Sequence, residues 1–377
     1  MTNTITREQA PATGNPAAAP NRSLVTAVWV LASLAVLAFI AYNARMGAVS
    51  PRIANPGVAG APRPVEALWG RTDWVGVFQV WTVVMMLVLA AGFVWGWRRY
   101  PRHPVLLMAI AATAIVWQDP IMNWAPYAVY NPQLWHWPED WPLVRLSPTV
   151  EPFIVIGYAT FYLGPYFPAI WILHRFQARR PVDSFVWRHP LISLAAVVFV
   201  VGFVYDAAME IFLVRTHLYI YSQVMPFGSI FVGKTYQFPL LWECALVTVV
   251  MIPAGVLLYR DDTGRTQAEK LAQRVRLFPT RPALGAFLAM FAILNVAYFL
   301  YGAGFLTVRA GRLATSVACP WPFPEAKVYD PNGFYERAGQ PGPYFEGHWN
   351  TWMSGQPSGR PDVEPPENGG RCGPGHA

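Results

Sequence analysis

Residues 75–97 read VGVFQVWTVVMMLVLAAGFVWGW, 23 positions without a charged side chain. About 20 apolar residues is what a helix needs to cross a hydrocarbon core. A backbone in lipid must satisfy its own hydrogen bonds, which leaves helices or closed barrels. Comparable runs recur at 24–41, 105–127, 150–173, 190–211, 236–258 and 283–305. The weakest is the run at 105–127, where VLLMAIAATAIVW stops after 13 residues at Gln118-Asp119-Pro120. Only 13% of the chain is charged and 54% is hydrophobic, whereas about a quarter of a soluble domain is charged. The expected fold class is all-α, a polytopic membrane helix bundle of about seven transmembrane helices.

Loop charges set the expected orientation. The connections 98–103, 174–189 and 260–281 carry 13 Lys and Arg, while 118–149 and 212–235 carry only Arg145, Arg215 and Lys234. The positive-inside rule then places the N-terminus in the cytoplasm and the C-terminal tail outside the cell membrane. Residues 24–41 read as an uncleaved anchor; the alternative is a signal peptide, for which no small-residue cleavage site follows. Residues 1–23, rich in Ala, Pro, Asn and Thr, are expected to be disordered. The segment 306–377 holds 11 Pro and 11 Gly, against regular structure, yet also nine aromatics. It reads either as a lid over the outer mouth of the bundle or as a segment resting on the interface. Cys319 and Cys372 both fall in it, where a disulfide can form.

The net charge of +7 does not point to nucleic acid, because the basic residues sit between apolar runs as topology signals. No phosphate loop or dinucleotide fingerprint occurs. The histidines at 103, 136, 174, 189, 217, 348 and 376 form no HxxxH or HxxHH box and no zinc-type spacing with cysteine. No metal and no cofactor is expected, and chemistry falls to carboxylates.

Ionisable groups inside a bilayer are costly and mark function by default. Asp119 lies about 22 Å along its span from Pro104, and Asp206 about 24 Å from Pro190. Glu243 lies about 24 Å from Tyr259, on a span running the other way. Three carboxylates thus reach one level in the extracytoplasmic half, with Glu151 and Glu210 nearer the rim, and the cytoplasmic halves hold no acid. Asp206 and Glu210 share a helix face at i,i+4. Tyr236, Pro239 and Glu243 fall on one helical stripe, Asn123 follows Asp119 by one turn, and Trp117, Trp124, Tyr205 and Trp242 lie at similar depth. The candidate catalytic residues are Asp119, Asp206, Glu210 and Glu243. The candidate substrate-binding residues are Asn123, Trp124, Glu151, Tyr205, Tyr236, Gln237 and Trp242. Each has a structural alternative: an acid paired with Asn, Tyr or backbone, an aromatic in the core or the interface belt, or Arg215 neutralising Glu210.

Several carboxyls in a water-poor pocket cannot all ionise, so an acid and a carboxylate coexist near neutral pH. Such a pair performs acid–base chemistry without a cofactor. The protonated member helps a hydroxyl leave as water, and the carboxylate and aromatic faces stabilise the cation that forms. A pocket opening to lipid takes a lipophilic small molecule.

The pattern QDPxxNW at 118–124, DxxxE at 206–210, YxY at 219–221 and YQFPxxxE at 236–243 resembles the membrane spirocyclase family typified by the avermectin spiroketal cyclase, over roughly 24–320. The resemblance implies cofactor-independent conversion of a dihydroxy-ketone polyketide into a spiroketal, sometimes with a further dehydration. It carries over no catalytic residue. Two other classes stay open: a proton-coupled transporter, which would favour paired repeats and polar groups reaching the cytoplasmic half, and a non-catalytic membrane scaffold. Alkaline phosphatase fused after residue 149 or 235 is expected to be active, and fused after 103 or 189 inactive. The reverse pattern would overturn the orientation.

Overall fold

The computed structural model describes residues 68–138, 144, 147–319 and 322–323, and the helical positions 27, 30, 31, 34, 35 and 38. The rest of the expected 24–41 span, the N-terminal segment and most of the tail lie outside the described residues. Six described stretches are long and apolar enough to cross a membrane. The first is α1 (Trp74–Arg99). The second joins α2 (Pro104–Ala114), a 3-10 turn at Ile115–Gln118, and α3 (Asp119–Trp124). The third joins a 3-10 turn at Phe153–Gly157, α4 (Tyr158–Leu163) and α5 (Tyr166–Ala178). After the short α6 (Phe185–Arg188) come α7 (Pro190–Arg215) and α8 (Leu240–Leu258). The interfacial α9 (Gln267–Arg274) leads to α10 (Pro282–Ala310).

The sequence accounts for where these helices begin. Pro104, Pro190 and Pro282 open theirs, at the position where a missing N–H costs nothing. Asp73 caps α1 by accepting from the Gly76 N–H at 2.9 Å, and Arg98 and Arg99 close it, each favouring its end of the helix dipole. A Thr266–Glu269 capping box starts α9. Arg260 and Glu269 lie close enough to act electrostatically on His103, so the basic connections 98–103 and 260–281 share one end of the bundle.

Two expectations require correction. The expected span at 236–258 becomes helical only at Leu240. Pro239 cannot donate into a preceding turn and disfavours helix before it, and Phe238 instead bridges to Ile230. Tyr236 and Glu243 therefore share no helical stripe, and Glu243 stands in the first turn of α8. The last helix runs beyond 305 to Ala310, and a strand follows it within the segment expected to lack regular structure.

At the end opposite the basic connections, the chain forms two small antiparallel pairs. One joins β1 (Ala128–Tyr130) to β2 (Tyr219–Tyr221), in register Ala128↔Tyr221, Val129↔Ile220 and Tyr130↔Tyr219. The other joins β3 (Gln223–Val224) to β4 (Ser316–Val317). Alternate strand residues face opposite sides. Val129 and Ile220 accordingly meet Val317, Ala318 and Phe323 in one buried cluster, while Ala128, Tyr130, Tyr219 and Tyr221 turn into the bundle. The described start of the tail thus covers the outer side of this roof. Cys319 within it is disulfide-bonded; Cys372 lies outside the described residues.

Within the bundle, α8 packs along α7 and α10, and α10 along α2. Gly202 lets α7 approach closely, since a Cβ there would lie 2.8 Å from the Met251 sulfur; small residues are what allow helices to close up in lipid. Gln237 joins the parts of the roof. Its amide nitrogen faces the carbonyls of Tyr221 (3.0 Å) and Ser316 (3.2 Å), and its oxygen accepts from Gly233 N–H (3.1 Å) and Ser316 hydroxyl (2.9 Å). Gln237→Leu strands these buried groups and is expected to cost about 2–4 kcal/mol, measured as a lower thermal midpoint of the detergent-solubilised protein.

Candidate active site

Six helices (α1, α3, α4, α7, α8 and α10) and the strand roof line a cavity of about 490 Å³, within the range usual for small-molecule sites. Asp119, Glu210 and Glu243 all line it, with Asn123 and Tyr205. The local reasons differ. Asp119 opens α3 directly after the 3-10 turn, a step that tightens the chain just before Pro120. Glu210 comes from the last turns of α7 and Glu243 from the first turn of α8, and the close α7–α8 packing brings the two together.

Tyrosine hydroxyls and one amide satisfy these acids. Asp119 accepts from the Asn123 amide at 2.8 Å and from the Tyr298 hydroxyl at 3.0 Å. Asn123 also reaches Glu151 at 3.3 Å, whose other carboxyl oxygen has no hydrogen-bond donor among the described residues; Glu151 and Asp119 lie close enough to act on each other electrostatically. Burial first, and the charge of the neighbouring Asp119 second, push Glu151 well above the usual carboxylate range. Glu210 accepts from the hydroxyls of Tyr219 and, at 3.1 Å, of Tyr221. Glu243 accepts from Tyr301, whose hydroxyl is 2.9 and 3.1 Å from its two oxygens, and Tyr221 also reaches it. Tyr158 and Tyr298 share a hydroxyl contact of 2.7 Å, and the rings of Tyr298 and Tyr301 stack at 5.6 Å. Among the described residues no Lys, Arg or His forms an ion pair with any of the five acids, and no group of His, Cys, Asp and Glu is arranged to hold a metal ion.

Other candidates fall elsewhere. Asp206 is fully buried between α7 and α8, outside the cavity lining, and the group facing it is the Cys244 thiol. Its oxygens have no nitrogen or oxygen donor. Trp124 lies under the buried Arg309 guanidinium, which sits 4.1 Å from its ring and donates to its carbonyl. Tyr236 stacks with Arg215 at 4.1 Å, and that guanidinium is not paired with Glu210. Trp242 donates to the Phe227 carbonyl at 2.7 Å, and Gln237 belongs to the roof. His217, buried beside Arg215, is held down to about 4 by burial first and that charge second, which keeps it neutral.

The sequence reading misses Tyr298 and Tyr301. The usable signal was two tyrosines at i,i+3 inside an apolar span, since a buried phenol needs a hydrogen-bond partner. The paired tyrosines of YxY at 219–221 were noted as a pattern and not as lining; strand alternation points both at Glu210.

The chain matches the model of a family described as Spirocyclase AveC-like over residues 97–329. This chain belongs to the AveC-like spirocyclase family. Every described acid of the site lies inside the matched region, and membership indicates a cyclase-type function. No curated protein and no solved structure matches the chain. In this AveC-like chain Glu151 is pushed toward its neutral form, and Glu151→Gln is nearly isosteric. It is expected to shift stability by less than about 0.5 kcal/mol, whereas Glu151→Ala, which opens a void beside Asp119, costs about 2 kcal/mol. Thermal unfolding of the two variants in detergent checks this.

Proposed function

We propose that this cavity is the site of a cofactor-independent, acid–base dehydrative cyclisation of a lipophilic dihydroxy ketone. The observation that carries the reading is the set of Asp119, Glu210 and Glu243 around one cavity, with no cation paired to them among the described residues. Buried carboxyls without a counter-charge keep protons, so the pocket holds a proton donor and a proton acceptor together.

Asp119 is the base. It receives two donors, Asn123 and Tyr298, contacts that stabilise a carboxylate. Glu243 is the acid, positioned by Tyr301; Asp206, also a candidate catalytic residue from the sequence, does not line the cavity. One substrate hydroxyl adds to the ketone and its proton passes to the carbonyl oxygen, giving a hemiketal. Glu243 protonates the hemiketal hydroxyl, the C–O bond breaks, and water leaves. The resulting oxocarbenium ion is stabilised by carboxylates and by the faces of Tyr298 and Tyr301. The second hydroxyl then attacks the cation and gives its proton to Asp119. The net change is loss of one water, with protons returned through the carboxyl and tyrosine network.

Glu243→Gln and Asp119→Asn are each expected to lower turnover at least about 100-fold in folded, membrane-inserted protein. The readout is mass spectrometry of lipid-soluble metabolites from a deletion strain, the strain restored with the unaltered protein, and the strain restored with each variant. A species one water heavier should accumulate in the deletion and in both variants. Rescue by both variants would point to a scaffold, and unchanged masses with altered distribution between compartments to transport.

A further inference from the structure

The cavity is closed where water would reach it and open where lipid would. At its roof, Ala128, Tyr130, Leu218, Tyr219 and Tyr221 line the space and are all buried, and the β3–β4 pair with Ala318 and Phe323 lies outside them. Its lateral wall behaves differently. Trp81 on α1 and Tyr205 on α7 also line the cavity, yet are 56% and 38% exposed. Thr160 on α4, another lining residue, is exposed as well.

These residues lie within the membrane-spanning depth. Trp81 stands about 10 Å along α1 from Trp74, and Tyr205 about 15 Å along α7 from Arg215. The helices around them are apolar on their outward faces: Val80, Val84 and Val88 on α1 and Val200 and Val204 on α7 are exposed. The α1 backbone packs on the Phe153–Gly157 turn and on α2 and does not run along α7. The two are joined toward the roofed end by rings, with Phe212 against Trp69, Trp74 and Phe78 at 5.4–6.2 Å. Farther along, the space between α1, α4 and α7 is lined by Trp81, Phe161, Tyr205 and Met209, and among the described residues there the polar side-chain groups are the Thr160 and Tyr205 hydroxyls.

We propose that this opening is a lateral portal through which a lipid-dissolved substrate enters from the bilayer, with Trp81, Tyr205 and Met209 as its rim and the strand pairs as a seal against water. The proposal rests on the cavity being the reaction site. Its test reads labelling and not turnover, so the two readings fail separately.

The protein, reconstituted in vesicles containing a phospholipid with a diazirine on its acyl chain, is illuminated and its adducts are mapped by mass spectrometry. Adducts are expected on outward residues such as Val84 and Val88, and also on Met122 and Tyr301, which line the cavity but are 3% and 6% exposed. A charged, water-soluble diazirine is expected to spare Met122 and Tyr301. Met209→Trp, which narrows the opening, should reduce the interior lipid adducts several-fold and leave those on Val84 and Val88 unchanged. Interior labelling by the water-soluble reagent alone, or interior lipid labelling unaffected by Met209→Trp in a folded protein, would overturn the portal. The unaltered protein by itself tests the route if that variant does not fold.

Discussion

Five buried carboxyls share one end of this bundle with no ion-paired cation among the described residues, and the surrounding structure follows from keeping them there. A buried carboxylate that loses its partners carries a desolvation penalty of several kcal/mol. The protein meets it with neutral donors: phenols from α10 and β2 and one amide from α3. Neutral donors have a consequence that an arginine would not. A guanidinium would fix each acid as an anion, whereas a phenol lets the acid gain or lose its proton at modest cost. The same contacts that make the cluster tolerable therefore leave it able to exchange protons, which is the property the proposed reaction uses.

The roof is the second requirement. Phenols strengthen as donors where water is excluded, and the ends of spans are where water reaches in. Two short strand pairs close that end, with the same residues serving both sides: Tyr219 and Tyr221 point at Glu210 while Ile220 between them packs under Val317 and Phe323. Isolated two-stranded pairs are marginal in water. Here Gln237 and the bundle below hold them, and Tyr127 and His217, both at positive φ (64° and 53°), turn the chain into β1 and toward β2.

Legibility in the sequence followed the range of the interaction. Apolar runs at 75–97 and 283–305 announce helices because the bilayer acts on every residue alike, and the levels of Asp119 and Glu243 follow from counting along a helix. Counting failed where the helix was not continuous, as at Tyr236, which precedes the helix that Pro239 permits only from Leu240. It was also silent on direction around the axis: Asp206 and Glu210 are one turn apart, yet Glu210 reaches the cavity and Asp206 faces Cys244. The strands were hidden because β1 pairs with a segment some ninety residues away, a partner no local pattern names. Tyr301 was hidden for the opposite reason, since a tyrosine in an apolar run reads equally as core.

The geometry also bears on where substrate comes from. Under the proposed function a polyketide-like substrate would come from the cytoplasm, while the orientation expected from the loop charges would put the acid layer in the outer half of the membrane. A site open only to the outer aqueous phase would leave these two in conflict. A side opening between α1 and α7 removes the conflict, because a molecule dissolved in lipid crosses leaflets without meeting an aqueous boundary. It also fixes the order of selection. In the proposed reading the rim at Trp81, Tyr205 and Met209 would meet the substrate before the acids do, so lipophilicity would be screened first and the arrangement of hydroxyls at Asp119 and Glu243. Water released by the reaction must then leave a pocket sealed above and apolar at the side. The polar path open to it runs along the carboxyl and tyrosine network that also returns the proton, which ties product water and proton return to the same line of residues.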